Sequence, residues 1–172
     1  MEVAVVEQVA EPATAQLDLD SFVQARGRAL WRCAWLLTGD HHRAEDLVQT
    51  ALAKTYHRLP SLGTSDAYEA YLRTTMYHTY LAWWRRRWTG ELPSEVLEHA
   101  EQGVDLELRH DVAQALAALP RGQRAVVVLC YFEDLTQAQA AVALQISVGT
   151  VKSQLSRALA ALRTSPLLSK ED

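Results

Sequence analysis

Residues 137–163 have the sequence QAQAAVALQISVGTVKSQLSRALAALR, and this stretch decides the fold of the C-terminal part of the chain. Its first eight residues include four alanines, whose small side chains allow a second helix to cross closely. Gln145 and Ile146 interrupt the pattern, and Ser147 is a residue type that caps helix N-termini. Apolar residues then recur at helical spacing and are predicted to form a buried stripe, at Val148, Val151, Leu155, Leu159 and Leu162. We therefore predict two helices, over 137–144 and from Ser147 to about 163.

The predicted second helix has a polar and basic outward face formed by Thr150, Lys152, Ser153, Ser156 and Arg157. No acidic residue lies between Asp134 and Glu171. A helix that enters the major groove needs hydrogen-bond donors for base edges and no carboxylate facing the phosphates. The spacing is that of a helix-turn-helix, although Gln145 occupies the turn position where glycine is usual. The alternative is an αα-hairpin that packs without binding DNA.

Two further helices are predicted before this motif. Apolar spacing indicates one helix from about Leu106 to Pro120 and a second over 121–132. The stretch that precedes them is acidic, since residues 91–111 carry seven acidic side chains and one basic side chain. By contrast, residues 21–90 carry a net charge of +5 and residues 112–165 a net charge of +3. Two basic blocks joined by an acidic connector favour two modules that face nucleic acid.

The N-terminal module is also predicted to be helical. One helix follows the apolar positions from Phe22 to Leu37 and is stopped by Gly39. Asp40 is expected to cap a second helix, which Pro60 ends. Asp66 and Glu69 are then predicted to form a capping box for a third helix that runs to about residue 88. The first module is therefore an all-helical bundle over roughly residues 18–90.

The third helix combines large aromatic side chains with Arg85, Arg86 and Arg87. The aromatic residues are Tyr68, Tyr71, Tyr77, Tyr80, Trp83, Trp84 and Trp88. Seven large aromatic side chains are more than the buried face of one helix can hold, so some are expected at the surface. Exposed aromatic rings beside arginines stack on unpaired bases while the cations follow the backbone. Contact with another protein explains the same composition equally well.

Composition excludes several other classes of protein. The chain has 172 residues and a net charge of −4, and no apolar run approaches the roughly 18 residues of a membrane-spanning helix. The acidic start does not resemble a signal peptide, so we expect a cytoplasmic protein without membrane insertion. Cys33 and Cys130 are expected to be buried, reduced thiols. The histidines have no metal-ligand spacing, so we predict no metal and no cofactor.

Three segments together resemble the extracytoplasmic-function (group 4) sigma factors of RNA polymerase, in particular an actinobacterial SigE-like subgroup. They are LLTGDHHRAEDLVQTALAKTY, YLRTTMYHTYLAWWRRRWTGELP and LPRGQRAVVVLCYFEDLTQAQAAVALQISVGTVKSQLSRALAALR. The resemblance implies an all-α fold of two helical domains, a sigma-2 bundle over 18–90 and a sigma-4 helix-turn-helix domain over 106–165. An acidic linker would occupy 91–105, and tails would occupy 1–17 and 166–172.

The resemblance also implies roles for particular residues. Core RNA polymerase would be bound through its clamp helices and flap, with Asp46, Gln49 and Lys54 at the clamp. The loop over 62–68 and the helix after it would capture single-stranded −10 DNA. This surface comprises Thr64, Ser65, Asp66, Tyr68, Tyr71, His78, Arg85 and Arg86. The helix-turn-helix would bind −35 duplex through the outward residues given above. The family further implies an anti-sigma partner, for which the residues themselves carry no signal.

Three other functions compete with promoter recognition. A regulator with only a C-terminal helix-turn-helix would need a receiver or ligand domain upstream, and the first module predicts neither strands nor a phosphorylation pocket. An enzyme would need paired carboxylates, a GxSxG motif or a Cys-His arrangement, and none stands out. An interaction protein that has lost DNA binding would not keep a basic outward face at 150–157. The sequence therefore favours a sigma factor that is not an enzyme.

Overall fold

The computed structural model describes residues 17–87 and 105–169, which fold into helices joined by short turns with no strand among them. The predicted all-α fold is confirmed. The helices are α1 (Leu19–Thr38), α2 (His41–Thr55), α3 (Leu59–Leu62), α4 (Ser65–Arg87), α5 (Asp105–Ala117), α6 (Arg121–Val127), α7 (Gln137–Leu144) and α8 (Val148–Arg163). Most of the expected tails and linker lies outside the described residues, so the predicted domain boundaries stay a prediction.

Local chemistry sets the helix ends in the first module. The Asp18 carboxylate accepts a hydrogen bond from the Ser21 amide at 3.1 Å at the start of α1. Gly39 ends α1 in the left-handed region, at φ +69°, where glycine has no steric penalty. Asp40 then caps α2 by accepting from the Arg43 amide at 2.8 Å. The predicted stop at Gly39 and cap at Asp40 are therefore confirmed.

The prediction that Pro60 ends the second helix is wrong. Helix α2 ends at Thr55, and a 3₁₀ turn over Tyr56–Arg58 leads into the short helix α3. Pro60 lies in the first turn of α3. An amide there would have no intrahelical acceptor, so a residue without an N–H is tolerated.

The capping box predicted from Asp66 and Glu69 is also wrong. Thr64 provides the cap instead, because its Oγ1 accepts from the Ala67 amide at 3.2 Å. The two carboxylates bind the Arg26 guanidinium of α1, at 3.0 Å and 2.7 Å respectively. Both carboxylates therefore pair with Arg26, which lies 40 or more residues away in the sequence, and not with the backbone at the start of α4, as the local pattern had predicted.

The core of the N-terminal module (α1–α4) forms where α2 packs against both α1 and α4. Leu30, Leu47 and Met76 have no exposed surface. The Phe22 and Tyr68 rings meet edge to face with their centroids 4.8 Å apart. Such aromatic pairs contribute about 0.5–1.5 kcal/mol beyond their buried area. They join the start of α1 to the start of α4.

In the C-terminal module (α5–α8), α8 packs against α6 and α7. Val126 and Val151 are fully buried at the α6–α8 side, and Ala140 is fully buried on α7. Helices α7 and α8 begin and end where the sequence predicts, at 137–144 and 148–163. The predicted helix over 121–132 is continuous, although its last five residues form a π-helical turn.

The two modules also pack against each other. Helix α4 contacts α7, and α1 contacts α5, α6 and the π-helical turn. Their buried apolar residues form one continuous cluster. The described residues are therefore packed around a shared core, which the prediction of two separate basic modules did not anticipate.

Both cysteines are free thiols, but only Cys33 is buried, whereas Cys130 is half-buried. The expectation of two buried thiols therefore holds for the first only. Burial raises the pKa of the Cys33 thiol from 9.0 to about 12, because the thiolate would be deprived of water.

We expect Cys33 to lower the free energy of unfolding by about 1 kcal/mol between roughly pH 8 and pH 10. A group with a raised folded pKa stabilises the fold fully below its unfolded pKa, here near 9.0, and this contribution is lost as the pH rises toward about 12. Urea unfolding at both pH values measures the loss. Cys33→Ala should remove it, Cys130→Ala should change it less, and an unchanged loss in Cys33→Ala would contradict the argument.

Candidate nucleic-acid interface

The outward face of α8 has a centre of small side chains. Gly149, Ser153, Ser156 and Ala160 follow one another at helical spacing, and all are exposed. Lys152 and Arg157 are also exposed and lie on opposite sides of this row. A flat centre flanked by two cations allows the helix axis to approach a groove closely, while the cations reach past it to either side.

Ser147 caps α8, and Thr150 is part of the same cap. The Ser147 hydroxyl accepts from the Thr150 amide at 3.0 Å, and the two hydroxyl oxygens are 2.8 Å apart. Thr150 is half-buried, in contrast to the exposed residues that follow it. Its role in binding −35 DNA stays a prediction, with its hydroxyl in contact with the Ser147 hydroxyl at the start of the helix.

The turn between α7 and α8 has the geometry that the helix-turn-helix spacing requires. Gln145 lies in the left-handed region at φ +56° and ψ +42°. The Ile146 amide donates to the Ala141 carbonyl at 3.0 Å, which closes the end of α7 as in a Schellman motif. A glutamine therefore occupies the conformation that glycine usually supplies, at a cost of roughly 1–2 kcal/mol.

Three apolar side chains around this turn are exposed. Val142 is 78% exposed, Ile146 37% and Val148 40%. The prediction that Val148 belongs to the buried stripe of α8 is wrong, since the stripe begins at Val151. As the first residue of α8, Val148 lies beyond the end of α7, so no facing helix covers it.

The loop before α4 presents short polar side chains. Gly63 lies in the left-handed region at φ +71° and reverses the chain. Thr64 is exposed, and its hydroxyl caps α4. Ser65 is half-buried. Asp66 is exposed and forms an ion pair with Arg26. These side chains of the expected −10 loop are therefore clustered at the start of α4.

Tyr68 is not part of that surface. Its side chain is fully buried, and its hydroxyl lies 3.0 Å from the Thr55 hydroxyl in the core. A ring without exposed area has no face on which a base can stack. The assignment of Tyr68 to single-stranded DNA is therefore corrected. The residue instead packs in the core below the loop that precedes α4.

One narrow stripe of α4 faces outward. Tyr71, Thr74, His78 and Arg85 recur at intervals of three, four and seven residues, and all are exposed. Sequence reasoning missed Thr74, which the same spacing would have indicated. The Arg58 guanidinium lies 5.8 Å from the centre of the Tyr71 ring, so a cation flanks the exposed ring.

The expectation that some aromatic residues of α4 lie at the surface is confirmed for Tyr71, and Trp88 lies outside the described residues. Tyr77 and Tyr80 are buried, whereas Trp83 and Trp84 are half-buried. Burial raises the pKa of both tyrosine hydroxyls above the ordinary value for tyrosine. Tyr71 is the exposed ring among these aromatics.

The C-terminal end of α4 lies against the C-terminal module. Arg85 donates to the Gln145 side-chain oxygen at 3.0 Å. The Arg121 guanidinium lies 5.8 Å from the Trp84 ring centre. Arg85 and Arg86 are exposed, so both are accessible from outside, although Arg85 already has a partner in the turn.

The expected polymerase residues divide into two groups. Asp46 and Gln49 are exposed one turn apart on the outer face of α2. Lys54 is exposed too, but its ammonium group donates to the Thr79 hydroxyl of α4 at 3.1 Å. The structure therefore brings Asp46 and Gln49 together and directs Lys54 toward a different edge of the helix.

Residues 17–87 and 105–169 contain neither a candidate metal site nor a candidate membrane-spanning helix. No cluster of three or more histidine, cysteine, aspartate or glutamate side chains there has the arrangement of a metal site. No helix among them is long and apolar enough to cross a membrane.

Comparison with known proteins covers both modules. Residues 22–89 match the family Sigma-70 region 2, and residues 109–162 match Sigma-70, region 4. The RNA polymerase sigma-E factor of Streptomyces coelicolor is 43% identical over 153 residues, which are 86% of this chain and 85% of that protein.

Two solved structures are also similar. The sigma factor RpoE of Bartonella quintana, in complex with the anti-sigma factor NepR, has a TM-score of 0.62 and 28% identity, covering 90% of this chain and all of that one. CnrH, in complex with the cytosolic domain of CnrY, has a TM-score of 0.56 and 25% identity, covering 87% of this chain and 90% of that one. With both sigma-70 regions in order and a relative of this identity, the chain belongs to the extracytoplasmic-function sigma factors of RNA polymerase, of the sigma-E type.

Proposed function

We propose that this sigma factor directs promoter-specific initiation by binding −35 duplex through α8 and capturing single-stranded −10 DNA through the loop over 62–68 and the outer stripe of α4. The observation that carries the proposal is the exposed face of α8, where a row of small side chains is flanked by Lys152 and Arg157. Run-off transcription with core polymerase and this protein, followed by mapping of the start sites, tests it.

The α8 face suits a major groove in shape and in charge. The helix has 16 residues, a length of about 24 Å, and the groove is roughly 12 Å wide. Ser153 and Ser156 can donate to or accept from base edges. Lys152 and Arg157 supply cations for guanine edges or phosphates, and no acidic side chain on α7 or α8 opposes them.

We expect Lys152→Ala and Arg157→Ala each to weaken binding to −35 duplex by about five- to hundredfold, the equivalent of one lost base or phosphate contact. Core polymerase binding should be unchanged. Fluorescence anisotropy with duplex promoter DNA measures the effect. Arg28→Ala, which removes an exposed arginine of α1, is the charge-matched control. Wild-type affinity in both α8 variants would refute the assignment.

Promoter opening requires bases to leave the stack, which costs a few kcal/mol per step. The outer stripe of α4 offers Tyr71 as a stacking surface, and stacking contributes about 1–3 kcal/mol per base. Arg85 and Arg86 lie further along the same helix, where they can follow the backbone of an opened strand. His78 lies on the exposed stripe between Tyr71 and the two arginines. The loop residues Thr64, Ser65 and Asp66 lie at the start of the same helix, where they would contact the captured strand.

Tyr71→Ala should reduce open-complex formation by about tenfold, since one stacking contact with an unpaired base is lost. Permanganate footprinting of the −10 region measures the opened fraction. Tyr68→Phe serves as the matched control, because it keeps the buried ring and removes only a hydroxyl bonded to Thr55. Loss of opening in Tyr68→Phe with normal opening in Tyr71→Ala would reverse the assignment of these two rings.

Sigma factors act as initiation factors bound to RNA polymerase, and the outer face of α2 is our proposed contact with the clamp helices. Asp46 and Gln49 are exposed on adjacent turns, with no described helix over them. Lys54 is included in the proposal at the edge of this face. The polymerase flap would bind the C-terminal module.

The double variant Asp46→Ala/Gln49→Ala should lower the affinity for core polymerase by at least about tenfold, since two polar contacts are removed. Surface plasmon resonance with immobilised core enzyme measures it. Lys54→Ala, tested alongside, should have a smaller effect because its ammonium group is shared with Thr79. Duplex −35 binding by the isolated sigma factor should be retained in both. Full polymerase affinity in the double variant would exclude α2 as the contact.

Two further elements complete the proposal. The structural neighbours RpoE and CnrH were solved with NepR and with the cytosolic domain of CnrY, which supports an anti-sigma partner for this chain as well. In this proposal, promoter binding and opening are driven by contacts with DNA and require no chemical reaction, so we propose no catalytic centre. The compartment would be the cytoplasm, where RNA polymerase works.

A further inference from the structure

Arg26 of α1 holds the first turn of α4 through two carboxylates. One terminal nitrogen of its guanidinium donates to Glu69 at 2.7 Å, and the other donates to Asp66 at 3.0 Å. A guanidinium presents its nitrogens in a rigid planar fork, so the bond to one carboxylate fixes the direction of the bond to the other. Arg26 therefore joins α1 to the end of the loop over 62–68.

Glu69 is the fixed member of this group. Its side chain is only 13% exposed, and both of its carboxylate oxygens are bonded. Oε2 accepts from Arg26, whereas Oε1 accepts from two nitrogens of Arg73, at 2.8 Å and 2.9 Å. Asp66, by contrast, is 87% exposed. Glu69 therefore anchors the Arg26 guanidinium, and the guanidinium in turn positions the Asp66 carboxylate.

The loop itself does little to fix the Asp66 side chain. Gly63 reverses the chain at φ +71°, and a Cβ at this position would have no atom within 4 Å, so the space beside the turn is open. The Thr64 hydroxyl is used in capping α4. Of the polar side chains over 64–66, Asp66 is the one that bonds to another helix in the described parts of the chain. The direction of this carboxylate thus depends on Arg26.

Asp66 also keeps an acceptor for a ligand. Arg26 donates to Oδ1, and Oδ2 has no hydrogen-bond partner among the described residues. On the proposed function, on which this inference rests, the loop captures a base of the opened strand. A carboxylate accepts from the amino group of adenine, cytosine or guanine, whereas thymine has no amino group. A lone carboxylate would repel the phosphates, and the adjacent Arg26 cation offsets this repulsion.

We propose that Arg26 is a positioning residue for base selection. Held by Glu69, it directs Asp66 toward the captured base, and the loop therefore selects a base that carries an amino group. Two other roles for Arg26 have different consequences. If Arg26 only stabilises the fold, its loss weakens the binding of every strand equally. If Arg26 binds a phosphate directly, its loss lowers the salt dependence of binding for every base alike.

The test measures strand binding by the holoenzyme, assembled from core polymerase and the full chain. Single-stranded oligonucleotides carry the −10 sequence found by start-site mapping, and the captured position is the one at which an abasic site weakens binding most. That position then carries adenine or purine, guanine or hypoxanthine, and cytosine or pyrimidinone, where the second base of each pair lacks the amino group. Fluorescence anisotropy gives the ratio of the two dissociation constants within each pair.

In the wild type, we expect the preferred base to bind about ten- to a hundredfold more tightly than its analogue, since one hydrogen bond to a charged acceptor is lost. Asp66→Ala should reduce this ratio to about one. Arg26→Lys should reduce it to about threefold or less although Asp66 is retained, because an ammonium group lacks the fork that bonds both carboxylates. Arg26→Ala should cause no further change in the ratio once Asp66 is alanine.

Two additional variants separate positioning from folding. Glu69→Gln weakens the anchor without changing Arg26 or Asp66, and it should also lower the ratio. Arg28→Ala removes an exposed arginine from the same helix and should keep the wild-type ratio. Circular dichroism establishes that each variant is folded.

The positioning role is overturned by a wild-type ratio in Arg26→Lys, where every strand is weakened equally or not at all. A wild-type ratio in Asp66→Ala, or a wild-type protein without preference within any pair, overturns the selection of an amino group. If the holoenzyme binds none of these single strands, the proposed −10 capture itself fails, and this inference fails with it.

Discussion

Helix α4 packs against helices of both modules and leaves only a small part of its surface exposed, and this division of its surface organises the molecule. Its 23 residues direct Leu72 and Met76 into the core of the N-terminal module. A second face, through Arg73 and Tyr77, meets the C-terminal module. What remains is a narrow outward stripe that includes Tyr71 and His78, and this part of α4, which packing does not use, is the surface proposed above for single-stranded DNA.

The boundary between the modules is apolar at its centre and polar at its edges. The buried apolar residues on either side form one cluster, and the burial of this surface holds the two modules together. Around that cluster, every buried side-chain nitrogen or oxygen in the described parts of the chain has a hydrogen-bond partner. Arg73 and Arg124 bind carboxylates or helix-end carbonyls within their own module as well as across the boundary. Both arginines therefore have hydrogen-bond acceptors within their own module and across the boundary.

The helix-turn-helix depends on a different kind of chemistry, which is almost entirely local. Thr136 and Gln139 cap α7 reciprocally, at 3.2 Å and 2.9 Å. Ser147 caps α8 in turn. Between the two caps, Gln145 adopts the left-handed conformation and its amide closes the end of α7. The exposed face of α8 is thus held at a defined angle by neighbours in sequence, while buried Val151 and Leu155 attach it to the module.

The sequence by itself determined the all-α class, the stop of α1 at Gly39, the bounds of α7 and α8 and the exposed basic face of α8, because a cap or a helical period needs only residues a few positions apart. Only the tertiary structure decided that Tyr68 is core, that Asp66 and Glu69 bind Arg26, and that Glu133 meets Arg73. Each of these depends on a partner 40 to 60 residues away or on burial from a second helix. A carboxylate or a ring has the same local pattern whether it faces water or another helix, so packing alone assigns its role.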